Sequence, residues 1–222
     1  MTSQYSCKLF LSGLIINKYY DFKMKLLILV ASVFLQILVT SASNDYYWRD
    51  FSSEIPKDAV PGGKDAAGKQ TYIGQTYIHN LGVFVMQITP GVTNPDLAAY
   101  GVKKPGPVVK ILCSKDHEKF SWITTTSKTF HLDTTGKHAV IGGHDHVDAN
   151  KGMLHVGRLA YQGGIKIGSI SGYAVENAQF HFVGGAAEKK ATSYEVLMFS
   201  RKVDNQQNST PCVSYTDLYF AN

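Results

Sequence analysis

The chain is poor in cysteine and proline, with three and seven in 222 residues. That excludes a small domain stapled by many disulfides and a proline-rich linker. A helical period is missing as well: beyond residue 43 no window repeats apolar residues at three- and four-residue spacing, and only Asp96 to Tyr100 hints at a turn of helix. Helical bundles and alternating α/β architectures are therefore excluded. Nor is there an excess of one charge. The formal net charge of +5 falls to about +2 once residues 1–43 are set aside, because they hold Lys8, Lys18, Lys23 and Lys25 against Asp21 alone. The remaining 18 basic and 16 acidic residues give no phosphate-tracking surface, so nucleic acid is not an expected partner. Catalytic signatures are lacking too, with no Gly-x-Ser-x-Gly elbow, no phosphate-binding loop and no His-Glu-x-x-His. The chain reads as a non-enzyme without a cofactor.

One long hydrophobic run is present, from Leu26 to Val39, preceded by Lys25 and followed by the small residues Thr40 to Ser43. A membrane-spanning helix needs roughly 20 apolar residues, and this core is shorter. Residues 24–43 read as a signal peptide cleaved after Ala42 or Ser43, with Met24 the better start and residues 1–23 an upstream extension. The expected product is secreted, without a membrane anchor after cleavage. Cys7 falls in the leader, which leaves Cys113 and Cys212 as an even pair in an exported chain, and a disulfide between them is expected. It would be worth ~2–4 kcal/mol. In the polar tail 201–222, Asn208-Ser209-Thr210 is a glycosylation acceptor.

The body repeats itself. Ala-Val-x-Gly-Gly-x-Asp occurs at Ala59 to Asp65 and again at Ala139 to Asp145, following Trp48 and Trp122 respectively. TYIGQ (Thr71 to Gln75) then matches LHVGR (Leu154 to Arg158), and LGVFVMQI (Leu81 to Ile88) matches GGIKIGSI (Gly163 to Ile170). PVVKILCS (Pro107 to Ser114) and SYEVLMFS (Ser193 to Ser200) close the halves, with equivalent positions about 80–85 residues apart. Within each half the apolar residues alternate over short β-branched and aromatic runs bounded by Gly, Pro, Asn and Asp. This predicts an all-β fold in which two tandem repeats of antiparallel strands, 44–121 and 122–200, pack as a pseudo-twofold β-sandwich. Units of that size bury little core alone. Gly62-Gly63 and Gly142-Gly143 are expected to form turns at positive φ that place Asp65 and Asp145 at exposed tips. For each carboxylate, an Asx-turn bonding its own backbone and a ligand-facing role stand open.

In combination these motifs resemble the DM-nine repeat family of invertebrates, whose members usually carry the repeat as a tandem pair. The likeness covers Trp48 to Ser200 and includes Gly184-Gly185 with Glu188 and Tyr194 to Leu197. It implies a β-sandwich-like pair of repeats and lectin activity towards mannose-type glycans in innate recognition. It also implies that the Asp of Gly-Gly-x-Asp accepts sugar hydroxyls while the Lys of a Pro-Gly-Lys segment donates to them. Here the Asp is Asp65 in the first copy and Asp145, or Asp148 in a loop three residues longer, in the second; the Lys position falls on Met86 and Ser169. Neither copy keeps the pair. Lys166, three residues from Ser169, would lie on the opposite face of its strand.

The candidate carbohydrate residues are thus Lys64, Asp65, Asp145, Asp148 and Arg158. His144 and His146 share a face of an extended segment but lack an evident third ligand, and Asp145, Asp148 and Asn150 lack the spacing of a calcium loop, so no metal is expected. Trp48 and Trp122 are expected to anchor the core. The functional expectation is a glycan-binding protein with a degenerate sugar site; the alternative is a structural or protein-binding secreted protein that has lost sugar binding. Homodimerisation is left open.

Overall fold

The computed structural model describes Lys23–Lys25, Leu27 and residues 46–200. Contacts divide the chain into two compact units, residues 1–44 and 45–222. In the first, Lys23–Lys25 and Leu27 are helical. Among the described residues no helix is long and apolar enough to cross a membrane. Cys212 and Asn208 lie outside the described residues, as does most of the leader. Cys113 itself is a buried, free cysteine, where a disulfide was expected. Burial above all, then the charge of Asp58, pushes its thiol up to about 11.

The second unit is mostly β. Its first half holds β1 (Tyr47–Asp50), β2 (Pro61–Lys64), β3 (Gln70–Ile78), β4 (Gly82–Ile88), β5 (Leu97–Ala98), β6 (Val102–Lys103) and β7 (Val109–Cys113). The second holds β8 (Phe120–Thr126), β9 (His138–Ala139), β10 (Ile141–Asp145), β11 (Met153–Tyr161), β12 (Gly164–Ser171), β13 (Phe180–Gly184), β14 (Ala187–Ala191) and β15 (Ser193–Phe199). Among the described residues of this unit, helix is confined to a 3-10 turn at His117–Lys119 and to α1 (Phe130–Thr134). The helical hint at Asp96 to Tyr100 is thereby corrected. Leu97, Ala98 and Ala99 are all buried, Leu97 and Ala99 against Phe84 and Met86, and β5 pairs β6 there. Tertiary burial outweighs the local preference.

Among the described residues all strand pairings are antiparallel, and one scheme occurs in both halves. β3 pairs β2, β4 and β7, and β7 also pairs β1. β11 pairs β10, β12 and β15, and β15 also pairs β8. Even a short contact recurs, since Ala59 bridges Cys113 as Ala139 pairs Met198. The halves join where β10 pairs β4, His144 opposite Val83 and Asp145 opposite Gly82.

The Gly-Gly pairs sit inside β2 and β10 at register shifts, not in turns. A bulge puts an extra residue into one strand. In the first copy Gly63 has the expected positive φ, 148°; in the second, close approach across strands demands glycine, since a Cβ at Gly142 would overlap the Val85 side chain and one at Gly143 the Val83 carbonyl oxygen. The expected exposed tip is corrected for the second copy, because Asp145, at the end of β10, is only 3 % exposed.

The central core draws on both halves. Val60, Ile73, Val85 and Leu112 meet Val140, Val156, Ile167, Leu197 and Phe199 in one cluster, with Trp48 and Trp122 packed against it partly buried. Burying each such aliphatic side chain contributes roughly 1.5–3 kcal/mol. The outer faces form separate clusters, Ala59, Ile88, Ile111 and Cys113 in one half and Ile170, Phe180, Val196 and Met198 among others in the second.

Candidate functional site

Asp65, just after β2, and Asp145, the last residue of β10, follow equivalent bulges in different surroundings. Asp65 Oδ1 accepts the backbone N–H groups of Ala67 at 3.0 Å and Lys69 at 2.9 Å, closing its own loop. Asp145 Oδ1 accepts only the Val147 N–H, at 3.1 Å. Its Oδ2 accepts the hydroxyls of Tyr100 at 2.6 Å and Tyr173 at 3.1 Å. Tyr100 stands on the β5–β6 turn with φ of 55°, and Tyr173 follows β12. Burial, with the bond to Asp145 and its charge, pushes the Tyr100 hydroxyl far above the ordinary tyrosine value, so it remains a proton donor.

Asp145, Tyr100 and Tyr173 line a cavity of about 260 Å³ together with Ser169, Ser171, His181 and Glu188. Strand alternation puts Ser169 and Ser171 on one face of β12, and register sets His181 of β13 opposite Ser169. His181 Nδ1 lies 2.7 Å from Glu188 Oε1, and its Nε2 lies 3.2 Å from Ser171 Oγ. The Gly101 N–H, from the same turn as Tyr100, donates to Glu188 Oε2. Burial alone would raise the Glu188 carboxyl, but the bonds from His181 and Gly101 outweigh it and hold the group below its ordinary value.

The remaining expected residues lie elsewhere. Arg158 and Lys64 line a depression with Trp122. There Arg158 is held on three sides: Nε donates to Glu195 at 2.7 Å, a terminal nitrogen donates to the Gly62 carbonyl at 3.1 Å, and the guanidinium lies 4.2 Å from the Trp122 ring centre. Asp148 is exposed and accepts the Asn150 N–H at 2.8 Å. His144 and His146 rings contact edge to face at 4.4 Å, and among the described residues no group of three or more His, Cys, Asp or Glu could hold a metal ion. Of the five candidates, Asp145 alone lines the cavity.

Register also corrects the lysine position. Gly74 opposes Met86 and Gly157 opposes Gly168, so the counterpart of Ser169 is Gln87, not Met86. These two residues cap the edges of β4 and β12 reciprocally: Ser169 Oγ accepts the Val85 N–H at 3.0 Å and Gln87 Oε1 accepts the Ile167 N–H at 3.2 Å. Lys166 lines a second hollow with Gln87 and Asp96, apart from Ser169. Sequence reading missed Tyr100, Tyr173, Ser171 and His181 because three separate segments deliver them. The local signals were the Ser-x-Ser spacing on β12 and Glu188 behind Gly184-Gly185.

No protein-family model matches the chain, and no curated protein matches it.

Proposed function

We propose that this is a secreted, two-repeat, pseudo-twofold carbohydrate-recognition protein whose sugar site is the Asp145 cavity. The observation that carries this reading is a nearly buried carboxylate with two tyrosine hydroxyls fixed on it at the wall of a 260 Å³ hollow. Sugar recognition needs a few polar groups held in place beside ring surface, and a hollow slightly below the ~300 Å³ of the smallest typical ligand pockets suits a single sugar residue. Tyr100 and Tyr173 supply both the rings and the hydroxyls, and Ser169 and Ser171 add acceptors. Hydrogen bonds to charged groups are worth ~1.5–3 kcal/mol each, and Asp145 Oδ1, which accepts a single N–H, has room for one from a sugar hydroxyl. Mannose-type glycans are the first ligands to test, following the family resemblance.

The test is a glycan array at defined calcium concentrations, followed by titration of the best ligand against Asp145→Ala and Tyr100→Phe. Saturable binding weakened at least tenfold by Asp145→Ala supports the site. Absence of binding to any glycan by the folded protein would sink the reading and leave a structural or protein-binding role. The engagement of Asp65 in its own loop and of Arg158 with Glu195 favours that second reading for the first copy.

A further inference from the structure

We propose that Ser171, His181 and Glu188 form an acyl-transfer relay, and that the cavity hydrolyses a carboxylic ester carrying a short acyl group. The geometry is that of a nucleophile, a base and an orienting carboxylate: Ser171 Oγ 3.2 Å from His181 Nε2, and His181 Nδ1 2.7 Å from Glu188 Oε1. With its Nδ1–H donated to Glu188, the imidazole presents the Nε2 lone pair to the serine hydroxyl, which is the tautomer such a relay requires. Each member is held. The Ser171 N–H donates to the Gln179 carbonyl at 3.0 Å, His181 lies in the β12–β13 ladder, and Glu188 takes the Gly101 N–H on its other oxygen. Ser171 is 7 % exposed, yet it lines the hollow beside His181 and Glu188.

The chemistry balances without a cofactor. Ser171 Oγ attacks the ester carbonyl carbon while Nε2 takes the hydroxyl proton. The bond from that carbon to the alcohol oxygen then breaks, and His181 returns the proton to the leaving alcohol. Water, losing a proton to Nε2, attacks the acyl carbon; the bond to Ser171 Oγ breaks, Oγ takes that proton from Nε2, and the carboxylic acid leaves. Backbone donors for the oxyanion are spent, because the Ser171 N–H goes to Gln179 and the Gly172 N–H to the Ile170 carbonyl. The Asn177 and Gln179 amides and the Lys190 ammonium, which line the same hollow, are the groups left to serve it. Ser171 and His181 touch the reacting atoms, and Glu188 is a positioning residue. That the alcohol half is an acylated sugar rests on the function proposed above; the relay does not.

The experiment uses the whole secreted protein with two probes that need no sugar. A fluorophosphonate should label Ser171, located by peptide mass spectrometry, and p-nitrophenyl acetate should be hydrolysed. A positioned base contributes ~10²–10⁴-fold to such steps. His181→Gln should therefore slow both labelling and hydrolysis by ~10²-fold, Ser171→Ala should abolish labelling and cut hydrolysis as much, and Glu188→Asp should recover part of what Glu188→Gln loses. Failure of the folded wild-type protein to be labelled at Ser171, a result that depends on no variant folding, overturns the relay. So does hydrolysis unchanged in a folded Ser171→Ala. Serine-dependent hydrolysis together with a blank glycan array would keep the relay and overturn only the sugar reading. Release of acetate from an O-acetylated mannoside would support both.

Discussion

Asp65 and Asp145 each follow a Gly-Gly pair at a bulge, in or just after a strand that pairs the longest hairpin of its half, yet only Asp145 lines the tyrosine-walled cavity. The loops behind them explain the difference. The Asp65 N–H is bonded to Lys69 O, four residues on, whereas the Asp145 N–H is bonded to Gly152 O, seven on. The tight loop brings two amides onto Asp65 Oδ1; the longer one brings a single amide onto Asp145 and leaves Oδ2 for side chains. The first half then contributes its β5–β6 turn to the second half's pocket, through Tyr100 on Asp145 and Gly101 on Glu188. A common framework thus carries two different surfaces, and a three-residue difference in one loop decides which carboxylate closes its own loop and which gathers side-chain hydroxyls.

The comparison breaks hardest at the joint between halves. Gly143→Ala would drive a Cβ into the Val83 carbonyl and force β10 away from β4, costing about 3 kcal/mol or more. Gly68→Ala, in the tight loop at φ of 78° with open space around it, should cost only ~1 kcal/mol. Thermal or denaturant midpoints of the two variants measure the contrast. Next comes the carboxylate pair itself. Asp145→Ala orphans two tyrosine hydroxyls and should lose ~2–3 kcal/mol, while Asp65→Ala loses only a loop closure worth ~1 kcal/mol. Equal losses in urea denaturation would show that the loop account is wrong.

A smaller difference separates Arg158 from its counterpart Gln75. Arg158→Gln removes the Glu195 ion pair and the stacking on Trp122, and because both ion-pair side chains are partly exposed the expected loss is only ~1–2 kcal/mol. Gln75→Ala should stay within ~0.5 kcal/mol. The smallest effect is a slope. His155, where the first half has Tyr72, is held below the ordinary histidine value by burial. Its contribution is therefore complete above the unfolded value of ~6.5 and is lost as pH falls from there through the lower folded value. His155→Tyr should flatten the decline of stability with acid in that window, measured as melting temperature against pH.

Much of the framework was legible in sequence because it is written in local patterns. The alternation in Leu81 to Ile88 and Gly163 to Ile170 foretold β4 and β12, and the matched closing segments foretold β7 and β15. The Gly-Gly pairs were seen but misread as turns, since a requirement for φ freedom, present at Gly63, and one for close approach, present at Gly142 and Gly143, look alike in sequence. Only a neighbouring strand, Val83 and Val85 of β4, distinguishes them. The site was legible only at Asp145. Tyr100 belongs to the other half, and His181 gains its meaning from Ser171 and Glu188 on neighbouring strands.

By itself the sequence determined the β character, the strand segments and the duplicated order of motifs, because periodicity and turn residues act within a few positions of the chain. Which carboxylate is spent on its own loop, which hydroxyls gather on Asp145 and how serine, histidine and glutamate come into line were decided by tertiary structure alone. Hydrogen bonds and clashes between residues tens of positions apart depend on strand register and loop closure, and a single chain carries no local record of either.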